Sequence, residues 1–127
     1  MTKPRGTWSV LASNEALQVV AIVLDSGRCP AADFLGALPK RARTQFESRF
    51  VRLAASGTLR VPDMFRTIQD GRTPKIMEIK ADDGPGYRIY GVRADRFFYL
   101  THGTKKPKNR QVKKQAERAR EMFNDWY

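Results

Sequence analysis

The stretch KIMEIKADDGPGYRIYGV, Lys75 to Val92, decides the fold. Its first part, Lys75 to Ala81, alternates apolar and charged residues from Met77 onward, which is the period of a β-strand with one buried face. The next five residues, DDGPG, are typical of a turn. Tyr87 to Arg93 then supplies a second strand, so the stretch predicts an antiparallel hairpin.

The residues after the hairpin extend it into a meander. Ala94-Asp95 is a two-residue link, and the aromatic segment RFFYLTH, Arg96 to His102, is typical of a third strand. Gly103 to Lys108 forms a basic loop, and Asn109 is a suitable N-cap for a final helix. That helix is indicated by an apolar stripe of period 3.6: Val112, Ala116, Ala119, Phe123 and Trp126.

Upstream of the hairpin, the chain predicts one strand and two helices. β-Branched residues are frequent in Leu17 to Leu24, which indicates a buried strand. The apolar residues of Pro30 to Ser56 have helical spacing, and Pro39 divides this segment into two helices. Thr58 to Pro74 has no clear period and is predicted as a loop, with one turn at Pro62 to Phe65.

The N-terminal residues give the weakest pattern. Met1 to Gly6 is polar and basic, and we expect it to be loose. Trp8 to Leu17 favours no single structure. The order strand, helix, helix, three strands, helix predicts one α+β domain over residues 1–127. In it, a small antiparallel sheet packs against the two-helix N-terminal segment and the C-terminal helix.

The charge balance indicates a polyanionic partner. Lys and Arg number 24 against 13 Asp and Glu, which gives a net charge of +11. Such an excess attracts RNA, DNA, acidic proteins or anionic membranes. Its clustering favours nucleic acid or an acidic partner over a basic surface that serves solubility alone.

Other residue types exclude several classes of protein. Cys29 is the only cysteine, so no internal disulfide forms, which suits a reducing compartment. No Cys or His cluster suggests a metal site, and we expect neither a metal nor a cofactor. The longest apolar run, Val19 to Leu24, is too short to span a bilayer. The N-terminus lacks the apolar core of a signal peptide, so we expect a cytoplasmic protein without membrane contacts.

Three segments carry a resemblance to a known family. Asp25 to Gly57 has a Gly-x-x-Pro turn, then an FL…LP helix and a longer basic helix. Lys75 to Val92 looks like an ELR…YRI strand pair, and Phe97 to Ala119 looks like an LLHGFVKK…A run into a final helix. In this order they resemble the RelE/ParE toxin superfamily, most closely the branch with HigB and phage-derived relatives. Lys113 stands where classical RelE members have a tyrosine.

The resemblance implies a RelE-like fold and the toxin of a type II toxin–antitoxin system. Such a toxin is a metal-independent mRNA endonuclease that acts on the ribosome and inhibits translation. Its partners would be mRNA, the ribosome and a cognate antitoxin. Two alternatives stay open at the level of sequence, because one fold hosts several functions: a ParE-like toxin that inhibits gyrase, and a passive basic module that binds nucleic acid.

Arg88 is the first candidate for a catalytic residue. Alternation puts it on the opposite face from Ile89, and the resemblance matches it to the family's phosphate-contacting arginine. A guanidinium can bind two phosphate oxygens at once; the alternative is a salt bridge to Glu78. Lys80 would lie near Arg88 across the hairpin, as a phosphate contact or proton carrier, or else as a solvated lysine.

His102 is the second kind of candidate. It is the only histidine, and its ordinary pKa suits acid–base catalysis. The resemblance matches it to the family's HG histidine. Alternation also puts it with Phe98 and Leu100 on a potential core face, so a structural role is equally open.

The densest basic cluster follows the third strand. The resemblance implies that Lys105 and Lys106 supply catalytic or substrate-binding cations. Cations at the start of the last helix oppose its dipole, which a phosphate would relieve. We therefore expect RNA contacts from Lys108, Arg110, Lys113 and Lys114. Tyr90 and Arg93 complete the predicted RNA surface. Tyr90 should share a face with Arg88 and could stack on an unpaired base, but packing in the core or on the surface is the favoured alternative for its ring.

Overall fold

A computed structural model of the protein describes residues 6–127. The predicted loose segment, Met1 to Gly6, therefore lies outside the described residues except for Gly6. The strands are β1 (Thr7–Ser13), β2 (Gln18–Val23), β3 (Phe65–Thr67), β4 (Met77–Ala81), β5 (Tyr87–Ala94) and β6 (Phe97–Lys105). The helices are α1 (Pro30–Gly36), α2 (Lys40–Ser56) and α3 (Val112–Trp126).

The strands form one sheet in the order β1-β2-β6-β5-β4-β3. β2 and β6 run parallel, and the other neighbouring strands run antiparallel. The predicted hairpin is β4–β5, and the predicted meander is β4-β5-β6. The α+β class is confirmed, and the mostly antiparallel sheet with its helices is consistent with a RelE-like fold.

One face of the sheet packs against α1 and α2. The apolar stripe of α2 is buried, because spacings of four and three keep its members on one side of the helix. Alternate strand residues meet it from the sheet: Val19, Ala21, Ile79, Ile89 and Leu100. α2 ends at Gly57, whose φ of 79° lies in the left-handed region that favours glycine.

The other face of the sheet packs against α3. The predicted stripe of α3 supplies four buried residues, Ala116, Ala119, Phe123 and Trp126. They meet the strand residues that point away from α1 and α2: Val20, Ile22, Tyr90, Val92 and Tyr99. None of the helices in the described part of the chain combines the length and apolarity that a membrane span requires.

The sequence pattern did not predict either edge strand of the sheet, β1 or β3. β1 lies in the stretch that favoured no single structure, and β3 lies inside the predicted loop. Nearly all of β1 is exposed, so selection for a buried face did not impose alternation on it. β3 has three residues, too few for a period to emerge. The turn predicted at Pro62 to Phe65 is found at residues 61–64.

The predicted helix cap was also wrong. Asn109 begins a short 3-10 turn, Asn109–Gln111, and α3 begins only at Val112. No side chain caps the N-terminus of α3. The 3-10 turn takes the place of a side-chain cap, because the backbone N–H of Val112 donates to the carbonyl of Asn109.

Candidate active site

The β4–β5 register brings the first two candidate residues together. Lys80 pairs with Arg88, and Glu78 pairs with Tyr90. Directly opposite residues in an antiparallel pair have side chains on the same face, about 5 Å apart at Cβ. Both pairs point to the face that carries α3. The predicted proximity of Lys80 and Arg88 across the hairpin is therefore confirmed.

Arg88 is held in place from two sides. Its side chain is only 8% exposed, and its Nε lies 3.7 Å from Oε1 of Glu78. Its Nη1 donates a hydrogen bond of 2.9 Å to the carbonyl oxygen of Tyr87. The salt bridge that was the alternative to a functional role is thus present, and it fixes the guanidinium rather than removing it from the site.

Glu78 also aligns a cation that the sequence did not reveal. Nε of Arg66, in β3, donates a hydrogen bond of 2.8 Å to the same Oε1. The Glu78 side chain is 1% exposed, and its second oxygen has no hydrogen-bond partner among the described residues. Arg66 lies in a segment without a period, so neither alternation nor helical spacing could have selected it.

The aligned cations surround a cleft of about 200 Å³. We call it the hairpin cleft; its lining includes Arg66, Glu78, Lys80, Arg88, Lys106 and Asn109. Burial lowers the pKa of Lys80, and the neighbouring charges of Arg66 and Arg88 lower it further. Four cations around one carboxylate repel each other, and an anion in the cleft would relieve that repulsion.

A β-bulge decides where His102 points. Ile89 pairs with Gly103, but Gly91 pairs with Leu100. Two residues of β6, Thr101 and His102, therefore lie opposite the single residue between them in β5. The extra residue reverses the alternation, so His102 points to the α3 face. The prediction that it shares a face with Phe98 and Leu100 was wrong.

His102 is enclosed on that face. It is 3% exposed, and its ring stacks on Tyr90 with centroids 5.0 Å apart. Its Nε2 lies 2.9 Å from Oε1 of Gln115 in α3, and its Nδ1 lies 3.2 Å from the Thr101 hydroxyl. Burial lowers its pKa. His102 does not line the hairpin cleft, so the geometry favours the structural alternative.

Tyr90 is not accessible as part of the predicted RNA surface. The side chain is completely buried, and burial raises the pKa of its hydroxyl to about 12. One face of the ring is covered by His102. A nucleic-acid base cannot stack on it in this structure. Tyr90 belongs to the core under α3.

The basic loop divides between two faces. Lys105 pairs with Tyr87, whose ring lies on the α1 and α2 side, so Lys105 points away from the hairpin cleft. Lys106 lines the cleft, and its backbone N–H donates to the carbonyl of Gly86 at 2.9 Å. The other predicted RNA contacts are exposed around the start of α3: Lys108, Arg110, Lys113 and Lys114.

Arg93 lies apart from the other residues of the predicted RNA surface. It is five residues along β5 from Arg88, which is about 17 Å of extended strand. Because five residues is an odd number of steps along a strand, the side chain of Arg93 lies on the opposite face of the sheet from that of Arg88. There its Nη1 donates a hydrogen bond of 2.7 Å to the carbonyl of Gly57, at the end of α2. Arg93 therefore fixes a helix end and lies apart from the hairpin cleft.

Comparison with known proteins identifies the family. The model of a family described as "Phage derived protein Gp49-like (DUF891)" matches residues 33–124, which is well over half of the chain. The chain belongs to the Gp49-like family. No curated protein and no solved structure matches it.

The Gp49-like family is a phage-derived, toxin-like family within the RelE/ParE-like toxin superfamily, and it is related to RelE-type toxins that are endoribonucleases. The matched span runs from α1 to α3 and includes all residues named here in the hairpin cleft. Among residues 6–127, no three His, Cys, Asp or Glu side chains gather as metal ligands would.

Proposed function

We propose that this chain is the toxin of a type II toxin–antitoxin system, from the HigB-like branch, and that it cuts mRNA on the ribosome without a metal ion. One observation carries the proposal: Lys80, Arg88 and Lys106, selected from the sequence as catalytic, line one cleft. Arg66 joins them there. Membership in a family related to endoribonuclease toxins supports it.

Arg88 is the proposed stabiliser of the transition state. In RNA cleavage the 2′-hydroxyl of one nucleotide gives its proton to water and its oxygen attacks the adjacent phosphorus. The bond from phosphorus to the 5′-oxygen then breaks, which leaves a 2′,3′-cyclic phosphate. Negative charge builds up on the phosphorane oxygens between these events. Arg88 can donate to two of them, and its ion pair with Glu78 holds it ready before the charge develops.

Lys80 is the proposed proton donor to the leaving 5′-oxygen. An ordinary lysine keeps its proton well above neutral pH. Burial and the charges of Arg66 and Arg88 lower the pKa of Lys80, so its proton is easier to give up. Lys106 would hold a non-bridging oxygen of the same phosphate, as a mobile point charge.

The residues that line the cleft support the proposed dependence on the ribosome. No aromatic side chain is among the residues that line it, and the nearby Tyr90 is buried. The cleft can therefore hold a phosphate but offers no platform on which a base could stack. We propose that the ribosome orients the mRNA. An acidic antitoxin would inhibit by covering the exposed cations around Lys106 and the start of α3.

Translation-coupled cleavage tests the proposal. Wild type and Arg88→Ala are added to a purified bacterial translation system, and cuts in the message are mapped by primer extension. Lys106→Ala is included because Lys106 is exposed, so its loss should leave folding intact. Lys75→Gln, which removes an exposed charge outside the cleft, is the matched control.

We expect cuts that require ribosomes, persist in Lys75→Gln, weaken in Lys106→Ala and vanish in Arg88→Ala. Thermal unfolding of each variant shows whether it is folded. Intact message with the wild-type protein would refute the nuclease proposal. Supercoiling assays with gyrase and binding assays with nucleic acid would then test the two alternatives.

A further inference from the structure

A second cleft adjoins the hairpin cleft. Its volume is about 440 Å³, and Lys80 and Arg88 line both clefts. The remaining basic residues of the second cleft come from α2 and the segment after it: Arg49 and Arg60. We call it the α2 cleft. Because two cations are common to both spaces, a ligand in one cleft is a direct neighbour of a ligand in the other.

The walls of the α2 cleft are fixed to one another by hydrogen bonds. The backbone N–H of Lys80 donates to the carbonyl of Met64 at 2.9 Å, which ties β4 to the segment after α2. The N–H of Asp82 donates to Oε1 of Gln45 at 2.9 Å, which ties the turn after β4 to α2. The cleft is therefore formed before any ligand arrives, which reduces the ordering cost of binding.

The charges of the α2 cleft are not balanced. Four cations line it against two carboxylates, Asp63 and Asp82. The pair between Arg49 and Asp82 is loose, with a separation of 3.9 Å and an Asp82 side chain that is 67% exposed. Burial lowers the pKa of Arg49, and the charges of Arg52 and Arg60 act in the same direction against Asp82.

Arg49 also has an unused donor. Its Nε is buried and has no hydrogen-bond partner in the described part of the chain, while its side chain is 12% exposed. A buried donor without an acceptor is destabilising, because it has lost its hydrogen bonds to water. A negatively charged ligand in the α2 cleft would offset the excess of positive charge around Arg49.

We propose that the α2 cleft binds the phosphate next to the one held in the hairpin cleft, so that single-stranded RNA is gripped on both sides of Arg88. The inference rests on the proposed function for the nature of the ligand. Arg60 and Arg49 hold the neighbouring phosphate, and Lys80 and Arg88 lie between the two phosphates. Two fixed phosphates orient the scissile linkage better than one, without any base contact.

A chemical double-mutant cycle tests this inference. The probe is a 2′-O-methylated uridine trinucleotide, which has two phosphates and no free 2′-hydroxyl, so it binds but cannot be cut. Two further probes carry an uncharged methylphosphonate at one linkage each. Binding is measured by NMR titration at low salt with wild type, Arg60→Gln, Lys106→Gln and the control Lys75→Gln. Arg60, Lys106 and Lys75 are all exposed, so these variants should fold.

We expect Arg60→Gln to weaken binding of the charged probe several-fold and to reduce the salt slope by about 0.7. Neutralising one linkage of the probe should weaken its binding to the wild type. The same change in the probe should leave the affinity of Arg60→Gln almost unchanged. Lys106→Gln should show the same loss of sensitivity at the other linkage. The inference is overturned if Arg60→Gln behaves like Lys75→Gln, or if Arg60 and Lys106 couple to the same linkage.

The outcome is separable from that of the cleavage experiment. If Arg60 couples to one linkage but the wild type does not cleave message, the proposed phosphate site stands and the proposed nuclease activity is rejected. Cleavage that depends on Arg88, with no coupling at Arg60, would keep the nuclease and reject the second site.

Discussion

The carboxylate of Glu78 lies 3.7 Å from the Nε of Arg88, and both side chains are nearly inaccessible to solvent. The same oxygen accepts a hydrogen bond from Arg66. One buried carboxylate thus orients two guanidinium groups toward the hairpin cleft. Such an arrangement is costly to build, because both charges lose their hydration, and it is useful where fixed positive charge must meet a developing negative one.

The first prediction concerns the stability that Glu78 provides. We expect Glu78→Ala to lower the free energy of unfolding by about 3 kcal/mol, because Arg88 would remain buried without its partner. Urea unfolding followed by circular dichroism measures the change. The matched control is Glu117→Ala, which removes an exposed pair with Arg72 and should cost less than about 1 kcal/mol. Equal losses in the two variants would contradict the role of Glu78.

The second prediction concerns the titration of His102. It is the only histidine, so its Hε1 proton gives one identifiable NMR signal. Burial lowers its pKa in the folded protein, and we expect a midpoint below the value of about 6.5 found in unfolded chains. A midpoint at or above 6.5 would mean that the ring is solvated or ion-paired, contrary to its packing against Tyr90.

This shift also sets a pH dependence of stability. Below about pH 6.5 the unfolded chain binds the proton more readily than the folded one, so stability is complete above that pH and decreases as the pH falls toward the folded pKa. His102→Gln removes the titrating group. We expect the loss of stability between pH 7.5 and pH 5.5 to be smaller in this variant than in the wild type.

The parts of the fold that follow a simple period could be predicted from sequence. The alternation from Met77 to Ala81 gave β4 its two faces, and the resulting register put Lys80 opposite Arg88. The stripes of α2 and α3 became the two helix–sheet interfaces for the same reason. In the helices burial of one face imposes the pattern. In β4 the apolar face packs on the core, while Glu78 on the charged face is also buried, which the alternation did not indicate.

The parts that depend on a single irregularity could not be predicted. One extra residue at Thr101–His102 moves the histidine to the other face of the sheet, and no periodicity announces a bulge in advance. Arg66 reaches the hairpin cleft only because three residues form the edge strand β3. Tyr90 was assigned to the correct face, but its burial depends on α3, which is distant in sequence.

The third prediction concerns a close approach behind the bulge. A Cβ added at Gly103 would lie 2.1 Å from Cδ2 of Phe34, so the Phe34 ring has to move or α1 has to shift away from β6. We expect Gly103→Ala to lower the free energy of unfolding by about 1–3 kcal/mol. Gly36→Ala is the matched control, because a Cβ there meets nothing within 4 Å. Chemical denaturation of both variants makes the comparison.

Phe34→Ala provides a further test of the contact, because it removes the ring, whose Cγ, Cδ2 and Cε2 lie within 2.6 Å of a Cβ added at Gly103. The smaller side chain should cost stability by itself but should reduce the penalty of Gly103→Ala when the two changes are combined. Additive effects in the double variant would contradict a direct clash between Gly103 and Phe34.

The last prediction concerns the geometry of Arg88 rather than its charge. Arg88→Lys keeps a cation beside Glu78, but the three donors of one ammonium cannot serve Glu78, the carbonyl of Tyr87 and two oxygens of a phosphorane together. We expect the variant to fold and to cut ribosome-bound message about 10²–10³-fold more slowly than the wild type, as when a positioned transition-state donor is lost. Lys106→Arg, which changes the cation type at an exposed position, should cut at nearly the wild-type rate. Single-turnover cleavage on stalled ribosomes gives both rates. Full activity in Arg88→Lys would show that the positive charge of Arg88 is sufficient and that its guanidinium geometry is not required.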